Sequence, residues 1–269
     1  MNAFSKQGRP ALIGVIHLPP LPGSPSSEHR LDALVQRALD DARILRDGGA
    51  QGLIVENLGD APFHKDRVDP WTVAAMTRIA WAIRGEAPNL TLGINVLRND
   101  ALSALGIAAT VDADFIRVNI HTGVMATDQG IIEGRARQTL LTRRQLGASV
   151  AIAADVMVKH AQPLGAIGPD ALAQAARDTA HRGQADALIV SGSGTGEATS
   201  PETLKQVVAA TPTVPVWVGS GVRLDNVATY TDADALIVGT WLHEDAKLTR
   251  PLCPKRLAQF QDALMQLPD

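Results

Sequence analysis

Five polar residues close, or nearly close, short apolar runs rich in Val and Ile. His17 ends the run 12–17, Glu56 ends 52–56, Asn95 sits one residue inside the end of 91–96, Asn119 ends 114–119, and Asp155 ends 150–155. Taken singly, an Asn or Asp at a strand end is a turn former or a helix cap, and Asp69, Asn99 and Asp100 fit that reading. Capping does not require Glu56, Asn95, Asn119 and Asp155 to terminate four different strands. Two carboxylates at one site repel each other, so one pKa rises unless a cation intervenes. Glu56 or Asp155 is then a candidate general base, with His17 or His121 as its acid partner. Asn95 and Asn119 would hold substrate hydroxyls or stabilise an enolate oxygen. Lys159 follows Asp155 closely and is a candidate Schiff-base or electrostatic lysine, a solvated surface lysine being the plainer alternative. Arg117 alternates with its neighbours so that it faces either the helices or the barrel interior.

Glycine-rich turns supply a second signal. Gly219-Ser220-Gly221 follows the seventh apolar run, and Gly239-Thr240 follows the eighth. Glycine lets backbone N–H groups approach phosphate oxygens, and barrels that hold phosphorylated ligands do so at these two loops. Tight strand-to-helix turns also need glycine. The loop 191–196 (SGSGTG), with Ser191 and Gly192 at its start, is a further candidate phosphate nest or lid. It is no Walker motif, because no Gly-Lys-Ser/Thr follows, and Ser191 lacks the G-x-S-x-G setting of a hydrolase nucleophile. His17, His121 and His160 with Glu56 and Asp155 are candidate ligands for a divalent ion. No H-x-H or H-E-x-x-H spacing supports zinc, which leaves a carboxylate-held Mg²⁺ shared with a substrate phosphate.

The elements that must position these residues recur from end to end. Eight apolar runs (12–17, 52–56, 91–96, 114–119, 150–155, 187–191, 214–219 and 235–239) each lead into a polar or glycine-rich turn and then a segment of helical periodicity. Continuous apolar runs suit parallel strands covered by helices. Leu31, Leu34, Val35, Ala38, Leu39, Ala42 and Leu45 share one helix face, stopped by Gly48-Gly49. Asp69-Pro70 and Ser200-Pro201 are helix starts, with a cap followed by proline at the first helical position. Eight units in about 250 residues predict a single (β/α)₈ TIM barrel domain over 1–269. A doubly wound open sheet also alternates β and α, but no G-x-G-x-x-G follows the first strand.

The 269 residues carry a net charge of -3, so no extended basic face for nucleic acid is implied. Aromatics are 3%, too few for base-stacking platforms. One cysteine, Cys253, forms no internal disulfide and fits a reducing cytoplasm. The first apolar stretch, 11–18, is stopped by Pro19-Pro20 and is too short to span a membrane. The expected partner is a small, phosphorylated molecule. Segments 18–25 and 57–69 are candidate lids or homo-oligomer contacts.

Several long segments resemble the BtpA/SgcQ family: VIHLPPLPGSP (15–25), GGAQGLIVENLGDAPF (48–63), GINVLRND (93–100), DFIRVNIHTGVMATDQGIIEGRA (114–136), ADVMVKHAQPL (154–164), ADALIVSGSGTG (185–196), VGSGVRLDN (218–226) and IVGT (237–240). The resemblance implies a TIM-type barrel. One branch of the family is associated with photosystem I accumulation in cyanobacteria, and others resemble enzymes of carbohydrate or nucleoside metabolism. No catalytic set carries over from it, so the candidate residues rest on their address in the barrel. Two positions depart from the expected pattern: Met157 stands in place of a histidine, and Trp241-Leu242-His243-Glu244 replaces a small polar residue and a lysine. The leading expectation is an isomerase, lyase or hydrolase acting on a phosphorylated sugar or nucleoside-like metabolite. A non-enzymatic assembly or stability factor is the alternative.

Overall fold

The computed structural model describes residues 8–268 apart from 29, 166–167, 193, 195–196 and 220. Each of the eight apolar runs is a strand, to within about two residues at either end. They are β1 (Ala11–His17), β2 (Gly52–Glu56), β3 (Thr91–Asn95), β4 (Phe115–Val118), β7 (Ala151–Asp155), β9 (Ala187–Val190), β10 (Val216–Val218) and β11 (Ala235–Val238). All pair in parallel with their neighbours in that order, and β11 returns to β1 to close the barrel. Followed once round, the register that starts at His17 comes back to β1 at Arg9, a stagger of eight residues.

Alternation divides the core. Ile13, Val15, Ile54, Phe115, Ile189, Trp217 and Ile237 fill the barrel interior, where Phe115 meets Trp217 edge to face at 5.2 Å between centroids. The intervening residues, such as Leu12, Ile16, Leu53, Val55, Ile116 and Val118, pack outward. Gly93 breaks the apolar run of β3 because a Cβ there would enter the Phe115 ring.

Helices follow seven of the eight barrel strands: α1 (Leu31–Asp47), α2 (Pro70–Glu86), α3 (Ala101–Thr110), α4 (Ala136–Gln145), α5 (Ala171–Arg177), α6 (Pro201–Ala210) and, after β11, α7 (Pro254–Met265). The helix expected after β10 is not found among the described residues. There segment 219–234 holds a 3₁₀ turn, Val227–Tyr230, and the buried Tyr230 ties it down by donating to the Thr199 carbonyl at 2.7 Å. The sequence pattern also omitted a three-stranded antiparallel sheet. The hairpin β5 (Val124–Thr127) and β6 (Gly130–Glu133) is joined by β8 (Ala161–Pro163), from the loop after β7. It lies over the ends of β4 and β7 on a small core of Ile120, Met125, Ile132 and Val158. Asp128-Gln129-Gly130, with Gly130 at φ 98°, was its turn signal. Among the described residues, no helix is long and apolar enough to cross a membrane.

Candidate active site

Inward alternation carries His17, Glu56, Asn95 and Arg117 to the carboxyl-terminal mouth in one register row: His17 pairs with Glu56, Glu56 with Asn95, and Asn95 with Arg117. Arg117 therefore faces the interior, not the helices. Its Nε and Nη2 donate to the two oxygens of Asp155 at 2.9 and 2.8 Å, and its Nη1 stands 4.0 Å from Glu56 Oε2. The cation between the two carboxylates is thus this arginine, where the sequence suggests Lys159 or Mg²⁺. Burial works against its charge, but Asp155 and Glu56 more than restore it. Asp155 departs from the role of base. Its side chain is 0% exposed and both oxygens are taken, so it anchors Arg117.

Glu56 is the carboxylate that reaches the cavity. Burial pushes its pKa up, but His17, Arg117, Lys159 and the Asn95 amide together bring it below the ordinary carboxylate range. His17 Nε2 lies 3.9 Å from Glu56 Oε1. Burial lowers the His17 pKa to about 4, with Glu56 opposing and His243, Lys159 and Arg117 reinforcing the shift. A neutral His17 cannot hold Glu56 ionised near neutral pH, so Arg117, Lys159 and Asn95 do so. Lys159 sits below its usual pKa, first through burial and then through Arg117 and Arg98, against Glu56 and Asp155. Its loop is held by the Arg98 guanidinium on the Lys159 carbonyl (2.8 Å) and by the Lys159 N–H donating to Ser191 Oγ (3.3 Å). Met157 and His160 in this loop have positive φ, 51° and 56°, a conformation that surrounding structure must enforce.

The two asparagines have a fixed polarity. Asn95 Nδ2 donates to Glu56 Oε2 at 2.5 Å, and Asn119 Nδ2 donates to Asp155 Oδ2 at 3.2 Å. An ionised carboxylate only accepts, so each amide must turn its oxygen the other way. Asn95 Oδ1 and Asn119 Oδ1 are buried with no partner. A bare amide oxygen is an acceptor and would repel an enolate oxygen, and neither asparagine lines the cavity that Glu56 borders, Asn119 lying in a separate pocket with Met125 and Thr179. The enolate half of the expected role is withdrawn.

The cavity at this mouth has a volume of about 210 Å³. His17, Glu56, Arg117 and Lys159 line it together with Gly219, Gly221, Arg223, Gly239 and Thr240. Sequence reasoning missed Arg223, Trp241 and His243. Arg223 was embedded in the quoted segment VGSGVRLDN, and its position two residues after Gly221 was the available signal. Several predicted residues lie elsewhere. His121 follows the end of β4, where the chain has left the strand and its alternation; its Nε2 meets the Gly183 carbonyl at 2.9 Å, away from the mouth. Ser191 and Gly192 do not line the cavity: the first steadies the Lys159 loop, and the second packs on the Glu197 backbone. Ser220 lies outside the described residues. Gly221 has φ 64°, and a Cβ there would strike the Glu197 backbone, while a Cβ on Gly239 would enter the His17 ring. Both glycines therefore have a packing role whatever binds.

Asp100 caps α3 by accepting from the Ser103 N–H at 2.9 Å, and Asn99 bridges to the Ile120 backbone. Asp69 makes no cap bond and pairs with His64 at 3.1 Å. Among the described residues no three His, Cys, Asp or Glu side chains converge on a metal site. The expected Mg²⁺ ligands are separated, with His121 on Gly183 and Asp155 on Arg117.

The model of the BtpA family matches residues 8–266. The chain belongs to the BtpA family. The Photosystem I biogenesis protein BtpA of a Synechocystis strain is 47% identical, covering 95% of this chain and 88% of that protein. Family relatives extend to a protein of Thermococcus kodakarensis (42% identical, 96% and 97% covered) and a mitochondrial protein of Caenorhabditis elegans (31%, 97% and 95%). Among solved structures, the N-(5'-phosphoribosyl)anthranilate isomerase of Pyrococcus furiosus is similar with a TM-score of 0.59 at 13% identity, covering 96% of this chain and 100% of that one. The 3-keto-L-gulonate-6-phosphate decarboxylase of Vibrio cholerae is similar at 0.55 and 12%, covering 97% and 100%. At such identities these likenesses show the TIM-barrel fold and no more.

Proposed function

We propose that this BtpA-family barrel is an enzyme acting on a small, anionic, hydroxyl-bearing metabolite of the phosphorylated sugar or nucleoside-like kind. One observation carries the reading: among the described lining residues the cavity brings Arg117, Lys159 and Arg223 against a single carboxylate, Glu56. Such a lining selects an anion and still keeps one base beside it. The anionic group would sit toward Arg223, Thr240 and the glycine backbone, where neighbouring barrels named for phosphorylated substrates lend support by analogy. Glu56 is ionised near neutral pH and takes a proton at an Oε atom, with Lys159 close enough to stabilise developing negative charge. Arg117 and Asp155 hold Glu56 in place from below. Isomerisation and carbon–carbon or glycosidic bond cleavage both fit this arrangement.

The test is a thermal-shift screen of inorganic phosphate, sugar phosphates and nucleotides, with and without Mg²⁺, on wild type and Arg223→Ala. A native-state ligand raises Tm by mass action. A shift present in wild type and lost in Arg223→Ala supports the reading; no shift with any anion at millimolar concentration overturns it. The assembly-factor alternative rests on the name of the Synechocystis relative and on two exposed tryptophans of α2, Trp71 (51%) and Trp81 (64%). That role needs the outer surface and gives the buried charges of the mouth no task.

A further inference from the structure

His17 has a second neighbour besides Glu56. The ring of His243, in the turn after β11, lies 5.9 Å from the His17 ring between centroids, tilted by 40°. His243 is buried, and its Nδ1 is 2.6 Å from the Arg250 carbonyl oxygen. A carbonyl only accepts, so the His243 proton sits on Nδ1 and its Nε2 is a bare acceptor. That Nε2 is buried without a partner, and so is His17 Nδ1. Both rings are held in place: His243 by Arg250 and by the bridge between His243 and Leu252, and His17 by Gly239, whose missing side chain leaves just enough room for the imidazole.

We infer that His243 is a positioning residue that fixes the tautomer of His17, its Nε2 accepting a hydrogen bond from His17 Nδ1–H so that His17 Nε2 faces Glu56 and the cavity as a bare base. One neutral imidazole carries one N–H. Placed on Nε2, it leaves two buried lone pairs on neighbouring rings, His17 Nδ1 and His243 Nε2, each with no hydrogen to accept. Placed on Nδ1, it can satisfy both after a small ring rotation, and leaves unpaired only the nitrogen that a ligand can reach. Four groups act on His17. Glu56 on β2 draws the proton toward Nε2, but from 3.9 Å and with its charge already offset by Arg117 on β4 and Lys159 after β7. His243 supplies the fourth influence, at the opposite nitrogen. The consequence reverses the expected division of labour. His17 and Glu56 are then two acceptors facing one substrate, which must present donors to both. The cavity therefore suits a ligand with adjacent hydroxyl or N–H groups around its anionic end.

This consequence rests on the function proposed above, but the tautomer itself does not, and it is measured without any substrate. The protein is labelled with ¹⁵N-histidine, His17 is assigned by its loss in His17→Gln, and long-range ¹H–¹⁵N correlations are recorded from pH 5 to 8. In wild type His17 should show a protonated Nδ1 and a bare Nε2. In His243→Phe, which keeps a ring in place of the imidazole but offers no acceptor, the proton should move to Nε2, beside Glu56. His243→Gln, whose amide oxygen again offers an acceptor, should return the Nδ1–H form, and His243→Leu, which offers none, replaces His243→Phe if that variant does not fold. An Nε2–H tautomer in wild type, or an Nδ1–H tautomer retained in a folded variant that lacks an acceptor at position 243, overturns the inference. If the tautomer is as stated while no anion shifts Tm, the positioning role stands and the enzymatic reading falls.

Discussion

Replacing Asp155 with asparagine should separate an anchoring carboxylate from a reacting one. Arg117 is 4% exposed and Asp155 fully enclosed, joined by two charge-assisted bonds of 2.9 and 2.8 Å. Asn keeps the shape and one acceptor oxygen but removes the charge and turns an NH₂ group toward the guanidinium or toward Asn119. Arg117 keeps only Glu56, at 4.0 Å, as counter-charge. Breaking a buried pair by removing one partner costs about 3–5 kcal/mol. For a chain of this length about 1 kcal/mol moves Tm by roughly 2 °C, so Tm should fall by about 6–10 °C. Scanning calorimetry at pH 7.5 reads this directly. The double replacement Arg117→Met with Asp155→Leu removes both charges and should recover more than half of the loss, because no uncompensated ion remains. A Tm for Asp155→Asn within about 2 °C of wild type, or a double variant less stable than the single one, would refute the assignment of Asp155 as the anchor of Arg117.

Glu56→Gln should leave Tm nearly unchanged, since the side chain borders the cavity and Gln still accepts from Asn95. Turnover of any substrate found in the anion screen should fall by about two orders of magnitude or more, and full turnover would return Glu56 to a structural role. Arg223→Ala should weaken inorganic phosphate and sugar phosphates about tenfold or more without loss of Tm, because Arg223 is half exposed and its pairing with Asp225, at 3.8 Å, is loose; unchanged affinity by calorimetric titration would move the anion site elsewhere. His17 gives a signed pH dependence. Its folded pKa, about 4, is below the value of 6.5 it has when unfolded, so the unfolded chain binds the proton first and His17 erodes stability as pH falls from 6.5 toward 4. Urea titrations of wild type and His17→Gln at pH 7.5 and 4.5 should therefore show a steeper loss in wild type, and parallel losses would contradict a buried neutral His17.

The periodic part of the fold was legible because burial writes it into the chain. Strands covered on both sides must be apolar throughout, so all eight barrel strands stood out as runs of Val, Ile, Leu and Ala, and inward alternation put His17, Glu56 and Asn95 at the same mouth. The seventh connection was misread as helical because its helix is replaced by one buried tyrosine, a substitution of packing that no periodicity records. The small sheet escaped because β8 joins the β5–β6 hairpin from the loop after the next barrel strand, β7, a pairing between distant parts of the sequence.

Residue types alone determined that this protein would bring carboxylates, amides and a histidine to the ends of its strands, and glycines with them. Only the tertiary structure decided which of those groups remained available. It gave Arg117 to Asp155 and left Glu56 facing the cavity, turned His121 toward Gly183, brought Arg223 to that cavity, and set His243 behind His17. The reason is physical. A buried charge or lone pair must find its partner within about 3 Å, and in a closed barrel the nearest partner is supplied by a neighbouring strand some 40 residues away rather than by the local sequence.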